Sequence, residues 1–165
     1  MESDKIKKQG KKAKVEGSKL EKENKELLVV IRISGMVKVK KDIADTLDRL
    51  RLRRKYSCIL VDSSNKNILG MLEKIKHYVA YGPINKEILV KLIKLRAKAI
   101  NKNKKINEEE IAEQLIKGKK LKDLELKPFF RLHPPRKGIK SKFPYPKGVL
   151  GNNKEDINKL VERML

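Results

Sequence analysis

The chain has 165 residues, which fits one domain or one domain with extensions, and only 4% of them are aromatic, so the core must be small and mostly aliphatic. Its 43 Lys and Arg residues outnumber 21 Asp and Glu, giving a formal net charge of +22. Repulsion among these charges destabilises a compact state unless a polyanion neutralises them. Nucleic acid is the natural polyanion, whereas binding to a membrane surface would also require an apolar helix face beside the basic one.

Three classes of protein are disfavoured by the same sequence. No apolar run approaches the roughly 18 residues of a membrane span, so we expect none. The first residues, MESDKIKKQGKK, contain no apolar stretch, so we expect no secretory signal. Cys58 is the single cysteine, which excludes an intramolecular disulfide and predicts an intracellular, reducing location.

The chain begins with a predicted lysine-rich arm and continues into a predicted core. Residues 1–26 carry nine Lys and six Asp or Glu, which predicts either a solvated tail or an arm that orders against a polyanion. The β-branched run LLVVIRIS predicts a strand over 27–34. A helix is predicted over 41–52, with Leu47 and Leu50 facing the sheet.

A second strand, a second helix and a third strand complete the predicted core. YSCILVD predicts a strand over 56–62, a helix over 66–77 follows the polar SSNKN cap, and YVAYG predicts a strand over 78–82. Parallel β-α-β crossovers are almost always right-handed, and we expect this order of elements to form such a unit, with the first two strands parallel. Both helices should then cover one face of the sheet.

The second half of the chain predicts more helices. A helix over 85–98 leads into a basic linker, KAINKNKK. Another helix should start at Asn107, where Glu110 completes a capping-box spacing, and end at Gly118. Residues 119–126 predict a short amphipathic connector.

FFRLHPPRKG, residues 129–138, predicts a strand that passes into a proline-containing basic loop. Residues 136–148 hold five basic residues, two prolines and no acid, and proline makes such a loop stiffer than an ordinary tail. Asn153 is predicted to cap a C-terminal helix whose apolar residues recur at helical spacing, so that this helix docks on the core.

The sequence offers little for catalysis or metal binding. One Cys and two distant His residues effectively exclude a Cys/His zinc site. Cys58 lies mid-strand, where a small core hydrophobe is expected, and His77 closes a helix. His133 has only cationic charged neighbours, and no acid between Lys127 and Lys154 orients it as a base. We therefore expect no enzymatic activity, cofactor or metal.

Clusters of cations are the remaining features. RLRLRRK, residues 49–55, places five cations in seven positions, and basic loops at 38–41 and 136–147 accompany it. A solvated helix end is the simpler explanation of one such run, but three together favour contacts with phosphates. Lys outnumbers Arg by 34 to 9, which favours backbone and shape binding over recognition of base edges.

Five sequence blocks in this order resemble one protein family: VVIRISG, IADTLDRLRLRRKYSCILV, GMLEKIKHYVAYGPI, LKPFFRLHPPRKGIK and GNNKEDINKLVERM. The family is the large-subunit ribosomal protein numbered thirty in bacteria and archaea and seven in eukaryotes. The resemblance covers residues 27–165, and the part after residue 82 is similar to the archaeal and eukaryotic form. It implies an α+β fold, with a β-α-β-α-β core similar to a ferredoxin-like half and a helical, loop-rich C-terminal extension.

The resemblance also implies a cytoplasmic, non-catalytic protein that packs on large-subunit ribosomal RNA beside neighbouring ribosomal proteins. Residues 98–126 match the family only loosely, so no contacts are carried over for them. The predicted RNA-binding residues are Arg32, Lys38, Lys40, Lys41, Arg49, Arg51, Arg53, Arg54, Lys55, Arg131, His133, Arg136, Lys137, Lys140, Lys142, Tyr145 and Lys147.

Four segments are expected: the arm over 1–26, the core over 27–84, a helical insertion over 85–126, and a strand, basic loop and docked helix over 127–165. Two other functions stay open. One is a free-standing RNA-binding regulator that uses the same core on messenger RNA. The other is a small enzyme acting on acidic substrates, for which the sequence supplies no polar constellation.

Overall fold

The computed structural model of this chain describes residues 26–100, 107–139 and 141–165. Nearly all of the predicted arm, part of the KAINKNKK linker and Lys140 lie outside the described residues. The described elements are, in chain order, β1 (Leu27–Arg32), α1 (Lys41–Arg49), β2 (Ser57–Asp62), α2 (Lys66–Ile75), β3 (Val79–Pro83), α3 (Lys86–Arg96), α4 (Glu108–Ile116), β4 (Phe130–Arg131), β5 (Gly151–Asn152), a 3-10 turn (Lys154–Asp156) and α5 (Ile157–Met164). The predicted α+β class and the β-α-β-α-β order of the core are confirmed.

The five strands form one sheet in the order β4-β2-β1-β3-β5. The central strand, β1, pairs antiparallel with both β2 and β3, and β5 pairs parallel with β3. The prediction that the first two strands lie parallel is therefore wrong.

The reason is that the chain leaves the end of β1, passes through α1 and returns to that same end of β1 before β2 begins. The Tyr56 N–H donates to the carbonyl of Arg32 at 2.8 Å, so β2 begins beside the end of β1. The Ile33 N–H donates to the carbonyl of Tyr78 at 3.0 Å, so β3 also begins there. β2 and β3 consequently run parallel to each other on either side of β1. The rule that parallel β-α-β crossovers are right-handed therefore applies to β2 and β3, which α2 connects.

The sheet separates two apolar clusters. Successive side chains of a strand point to opposite faces, so Leu28 and Val30 pack with α1 and α2, whereas Val29 and Ile31 pack with α3, α4 and α5. The prediction that the first two helices share one face is confirmed. Cys58 is buried in the second cluster as a core hydrophobe, and burial raises the pKa of its thiol.

Some predicted details of the helices are not observed. Leu47 is fully buried, but Leu50 lies just past the end of α1 and is only half-buried. Asn107 makes no side-chain capping hydrogen bond, and the Asn153 side chain donates to the carbonyl of Val149 at 2.8 Å instead of capping a helix. The side chains of Asn107 and Asn153 therefore do not cap the helices that they were predicted to cap.

The C-terminal helix docks against the end of β3. The Asn158 side chain donates to the carbonyl of Pro83 at 3.1 Å and accepts from the Asn85 N–H at 3.0 Å. Gly82 allows this close approach, because a Cβ there would lie 2.5 Å from the carbonyl oxygen of Lys154. The loop that precedes β5 and α5 therefore lies at the β5 edge of the sheet. The four segment boundaries stay predictions.

Candidate nucleic-acid interface

Arg32 lies in the interior, and the structure therefore removes it from the predicted RNA-binding set. Its exposed fraction is 3%. Burial lowers the pKa of its guanidinium, and the charge of Asp48 opposes that shift. The guanidinium donates to four backbone carbonyls, those of Ser34, Gly35, Leu52 and Arg53, at 2.7–3.0 Å. Arg32 thus ties the loop after β1 to the turn after α1, and its position within an apolar strand was the sequence signal for this role.

The turn after α1 projects its cations outward from that support. Its exposed cations are Arg49, Arg51, Arg53, Arg54 and Lys55. Arg51 has a φ of +60°, a left-handed conformation that costs a non-glycine residue roughly 1–2 kcal/mol. Arg53 Nε lies 3.7 Å from Asp48 Oδ1, and Lys55 Nζ lies 4.7 Å from the centroid of the Tyr56 ring. These contacts are exposed and leave the cations accessible.

The loop between β1 and α1 is a second basic segment on the same support. Lys38, Lys40 and Lys41 are exposed, and Lys38 has a φ of +58°. Met36 and Val37 at the start of this loop are also exposed, at 63% and 85%. The loop therefore presents both cations and apolar side chains.

A cleft of about 540 Å³ joins the turn after α1 to β4. Arg49, Arg51 and Arg53 line one side of it, and Phe129 and Arg131 line the other. The Arg131 guanidinium lies 5.7 Å from the centroid of the Phe129 ring, within cation–π range. Predicted contacts that are far apart in the sequence are therefore brought together here.

A second cleft, of about 480 Å³, shares Phe129 and Arg131 with the first and extends to His133. Its other basic lining residues were missed by sequence reasoning. They are Arg96, Lys98 and Lys127. They meet because the Lys127 N–H donates to the carbonyl of Lys98 at 2.9 Å. The charge of the linker was visible in the sequence, but this long-range pairing was not.

A third cleft, of about 280 Å³, lies along β2 and shares Arg49 and Arg51 with the first. The connector after α4 contributes its lysines to this cleft, namely Lys119, Lys120 and Lys122. The three clefts share lining residues and form one continuous feature, which we call the β4-edge surface. His133 lines it, and its lining Lys and Arg residues are Arg49, Arg51, Arg53, Arg96, Lys98, Lys119, Lys120, Lys122, Lys127 and Arg131.

The HPPRKG loop lies beside the end of α5. The Arg136 N–H donates to the carbonyl of Arg163 at 2.9 Å, and the Arg163 side chain donates back to the carbonyls of Arg136 and Gly138. Arg136 and Lys137 are exposed, and Lys137 has a φ of +64°. The loop is therefore held by its backbone while its own charged side chains face outward.

Residues 141–150, which we call the β5-edge loop, lie at the opposite edge of the sheet and lead into β5. Lys142 and Lys147 are exposed as predicted contacts must be. Tyr145 is half-buried, and its hydroxyl donates to Asp156 Oδ2 at 3.0 Å, which raises the pKa of Tyr145. The aromatic ring that faces outward in this loop is Phe143, which is 66% exposed and was not predicted.

Within the ranges that the structure describes, no group of three or more His, Cys, Asp or Glu residues could hold a metal ion. In the same ranges no helix is long and apolar enough to cross a membrane.

Comparison with known proteins gives consistent matches. The family model described as Ribosomal protein L30p/L7e matches residues 28–79. A protein of Archaeoglobus fulgidus named Large ribosomal subunit protein uL30 is 43% identical over 152 residues, covering 84% of this chain and 99% of the relative. Proteins of the same name from Methanobrevibacter smithii and Ignicoccus hospitalis are 41% and 38% identical, covering 84% and 86% of this chain and 100% and 99% of those relatives. At this identity and coverage, the chain belongs to the Ribosomal protein L30p/L7e family.

Proposed function

We propose that this chain is a non-enzymatic structural component of the large ribosomal subunit, in the cytoplasm, where it binds large-subunit ribosomal RNA through phosphate and shape contacts. The relatives from Archaeoglobus fulgidus and Methanobrevibacter smithii are named as large ribosomal subunit proteins, which supports the assignment to the subunit. The observation that carries the RNA contact is the β4-edge surface, in which cations from the turn after α1, the end of α3, the connector after α4 and β4 line adjoining clefts.

The chemistry of this surface favours phosphates as ligands. Of the ten Lys and Arg side chains that line it, five are Lys, whose ammonium groups act as point charges, and five are Arg, whose guanidinium groups match the geometry of a phosphate. Ten Lys and Arg side chains line the three clefts against two acids, Asp48 and Asp62, and a concave surface with such an excess of one sign of charge raises the local potential and attracts a polyanion. A backbone of phosphates passing along the clefts would neutralise charges that otherwise repel one another.

Backbone strain occurs at some of the predicted contacts and also elsewhere. Of the six described non-glycine residues with positive φ, Lys38, Arg51 and Lys137 belong to the predicted RNA-binding set, whereas Tyr56, Glu125 and Lys154 do not. Such conformations destabilise the free protein and are frequent at functional sites, where the surrounding structure enforces them. The strain at the three cations is consistent with the proposed contacts, which rest on the β4-edge surface.

The salt dependence of binding tests this proposal. Deproteinised large-subunit ribosomal RNA is titrated with the parent chain at several salt concentrations, and log K should fall steeply as log salt rises, because binding releases condensed counterions. Lys98→Ala should lower the slope by roughly one unit, since it removes one phosphate contact. Lys94→Ala is the matched control, because Lys94 is exposed in the last turn of α3, four residues before Lys98, and does not line the described clefts; it should leave the slope unchanged.

Sedimentation distinguishes the ribosomal assignment from a free-standing RNA-binding regulator. The parent chain should migrate with large subunits in a gradient at high salt. A chain that binds RNA but stays at the top of the gradient would support the regulator instead. Binding of the parent that is independent of salt would contradict phosphate contacts altogether.

A further inference from the structure

Phe143 is an exposed aromatic residue that the core does not use. Among the described residues with large, exposed apolar side chains, it is the aromatic one, with 66% of its surface exposed. Phe130 is buried in the core, and Phe129 is half-buried beneath Arg131. With 66% of its surface exposed, this phenyl ring contributes little to core packing and is accessible to a ligand.

The loop that carries Phe143 is closed by its own backbone. The Leu150 N–H donates to the carbonyl of Phe143 at 3.1 Å, and the Tyr145 N–H donates to the carbonyl of Leu150 at 2.8 Å. The Gly148 N–H donates to the carbonyl of Pro144 at 3.1 Å. These bonds fix the backbone on both sides of the aromatic residue.

Packing and side-chain bonds anchor the same loop. A Cβ on Gly148 would lie 2.2 Å from the carbonyl oxygen of Phe143, so a glycine is required there. Ser141 Oγ donates to the carbonyl of Lys147 at 2.9 Å, and Tyr145 is tied to Asp156. A preorganised loop loses little conformational entropy when its exposed ring docks.

The surroundings of the ring indicate the chemistry of its ligand. Lys142 and Lys147 are exposed on the same loop, and the sequence has no Asp or Glu between Glu125 and Glu155. Nucleobases of single-stranded RNA stack on aromatic side chains while nearby cations contact the phosphates. The core of a protein–protein interface is instead depleted of Lys, so the two lysines beside the ring favour RNA over a protein partner.

We propose that Phe143 stacks on an unpaired base of large-subunit ribosomal RNA, with Lys142 and Lys147 against the flanking phosphates. This inference rests on the proposed function and adds to it a second RNA contact, at the sheet edge opposite the β4-edge surface. It also assigns the aromatic role to Phe143 in place of Tyr145.

The chain contains no tryptophan, which allows a direct test of stacking. Phe143→Trp places the protein's single tryptophan at the site, where it can be excited selectively over the four tyrosines, and titration with deproteinised large-subunit ribosomal RNA should quench its emission strongly as the indole stacks. Leu69→Trp is the matched control, because Leu69 is 39% exposed on α2 and lines neither the clefts of the β4-edge surface nor the cleft lined by Pro144 and Tyr145; its emission should change little. Unquenched emission from bound Phe143→Trp protein would overturn the proposal.

Affinity measurements on the same RNA separate stacking from charge. Phe143→Leu keeps an apolar side chain but removes the ring, and should lower affinity by roughly 5- to 150-fold with the parent's salt slope. Lys142→Ala should lower the slope by roughly one unit. Circular dichroism establishes that both variants are folded.

The remaining outcomes distinguish a failure of the stacking proposal from a failure of the proposed function. If Phe143→Leu binds like the parent while the parent's binding falls with salt, stacking is excluded and the proposed function stands. If the parent does not bind the RNA, the proposed function itself fails. A loss seen with Phe143→Leu only in intact subunits, and not on deproteinised RNA, would assign Phe143 to a neighbouring protein and overturn the stacking proposal.

Discussion

Arg32 and Arg163 perform the same task in different surroundings. Each donates from its guanidinium to backbone carbonyls of a basic segment: Arg32 to the turn after α1, and Arg163 to the HPPRKG loop. Arg32 is 3% exposed, whereas Arg163 lies on the surface. In a chain with a net charge of +22, carbonyl oxygens serve as acceptors where carboxylates are scarce. Cations thus organise the very segments whose charges repel one another.

The difference between the two arginines is one of solvent. A guanidinium has five N–H donors, so one side chain can bind several carbonyls at once. When the donor of a buried carbonyl is removed, that carbonyl loses a partner that water cannot readily replace, whereas an exposed carbonyl is rehydrated. The buried arginine should therefore contribute to global stability, and the exposed one mainly to local order.

The largest effect is expected at Arg32. Arg32→Met keeps the buried volume but leaves its carbonyl acceptors without a donor, so the free energy of unfolding should fall by roughly 3–5 kcal/mol. Arg32→Lys keeps a charge but only one donor group, and should give an intermediate loss. Denaturant titration measures both. Equal stability of the methionine variant and the parent would show that the carbonyls find other partners and would remove the contrast with Arg163.

Apolar packing supports the same turn from beneath, and two leucines separate its contribution. Leu47 is 0% exposed and its carbonyl accepts the Leu52 N–H at 2.8 Å, whereas Leu50 is half-buried. Leu47→Ala should lower the free energy of unfolding by roughly 2–4 kcal/mol, and Leu50→Ala by less than about half of that. Similar losses for both, measured by thermal unfolding, would mean that the face of α1 is less selective than its burial indicates.

Removing the exposed arginine should have a smaller and more local effect. Arg163→Met should change the free energy of unfolding by less than about 1 kcal/mol, because water replaces the lost donors. The amide protons of Arg136 and Gly138 should nevertheless exchange faster, since their loop loses its support. A large global loss of stability would show that Arg163 acts as Arg32 does despite its exposure.

The strained cations allow a comparison at constant charge. Arg51 has a φ of +60°, so Arg51→Gly relieves the strain that Arg51→Ala retains, although both remove the same charge. After the greater entropy of the unfolded glycine chain is deducted, Arg51→Gly should be more stable than Arg51→Ala by roughly 0.5–1 kcal/mol. Both variants should bind ribosomal RNA with a lower salt slope than the parent. If their stabilities are equal, the strain at Arg51 is no larger than the entropy cost of glycine, and if Arg51→Ala is the more stable variant, the strain is smaller than that cost.

Local spacing was sufficient to locate the core elements, because apolar periodicity depends on neighbours a few residues away. It could not reveal that β1 lies between β2 and β3, since that depends on which strand ends meet. The same limit applies to the buried Arg32, whose acceptors include residues across a long loop, and to the pairing of Lys98 with Lys127. β5 spans only two residues and has no periodicity to detect.

The two aromatic residues of the β5-edge loop show this limit within a few positions. Phe143 and Tyr145 occupy similar sequence surroundings, each followed by a proline and close to a lysine. Asp156 accepts from the tyrosine hydroxyl and holds that ring, whereas a phenyl ring has no hydroxyl for such a bond; Gly148 packs against the backbone of Phe143. Sequence reasoning could predict a basic aromatic loop, but not which ring is free to bind.

The smallest expected effect concerns the bond that holds Tyr145 inward. Hydrogen bonds from Lys159 and Tyr145 lower the pKa of Asp156. A carboxyl group whose pKa is lowered by folding contributes stability above its unfolded pKa and loses that contribution as the pH falls through its folded pKa. At neutral pH the β5-edge loop should therefore be less ordered in Tyr145→Phe than in the parent. In acid, once Asp156 is protonated, the difference should disappear.

Exchange of the Gly148 amide proton, followed by NMR at both pH values, measures the order of the loop. Lys159→Met is the control, because it removes the other partner of Asp156 and leaves the tyrosine hydroxyl in place. A difference between Tyr145→Phe and the parent that is the same at both pH values would mean that the hydroxyl acts through a group other than this carboxylate.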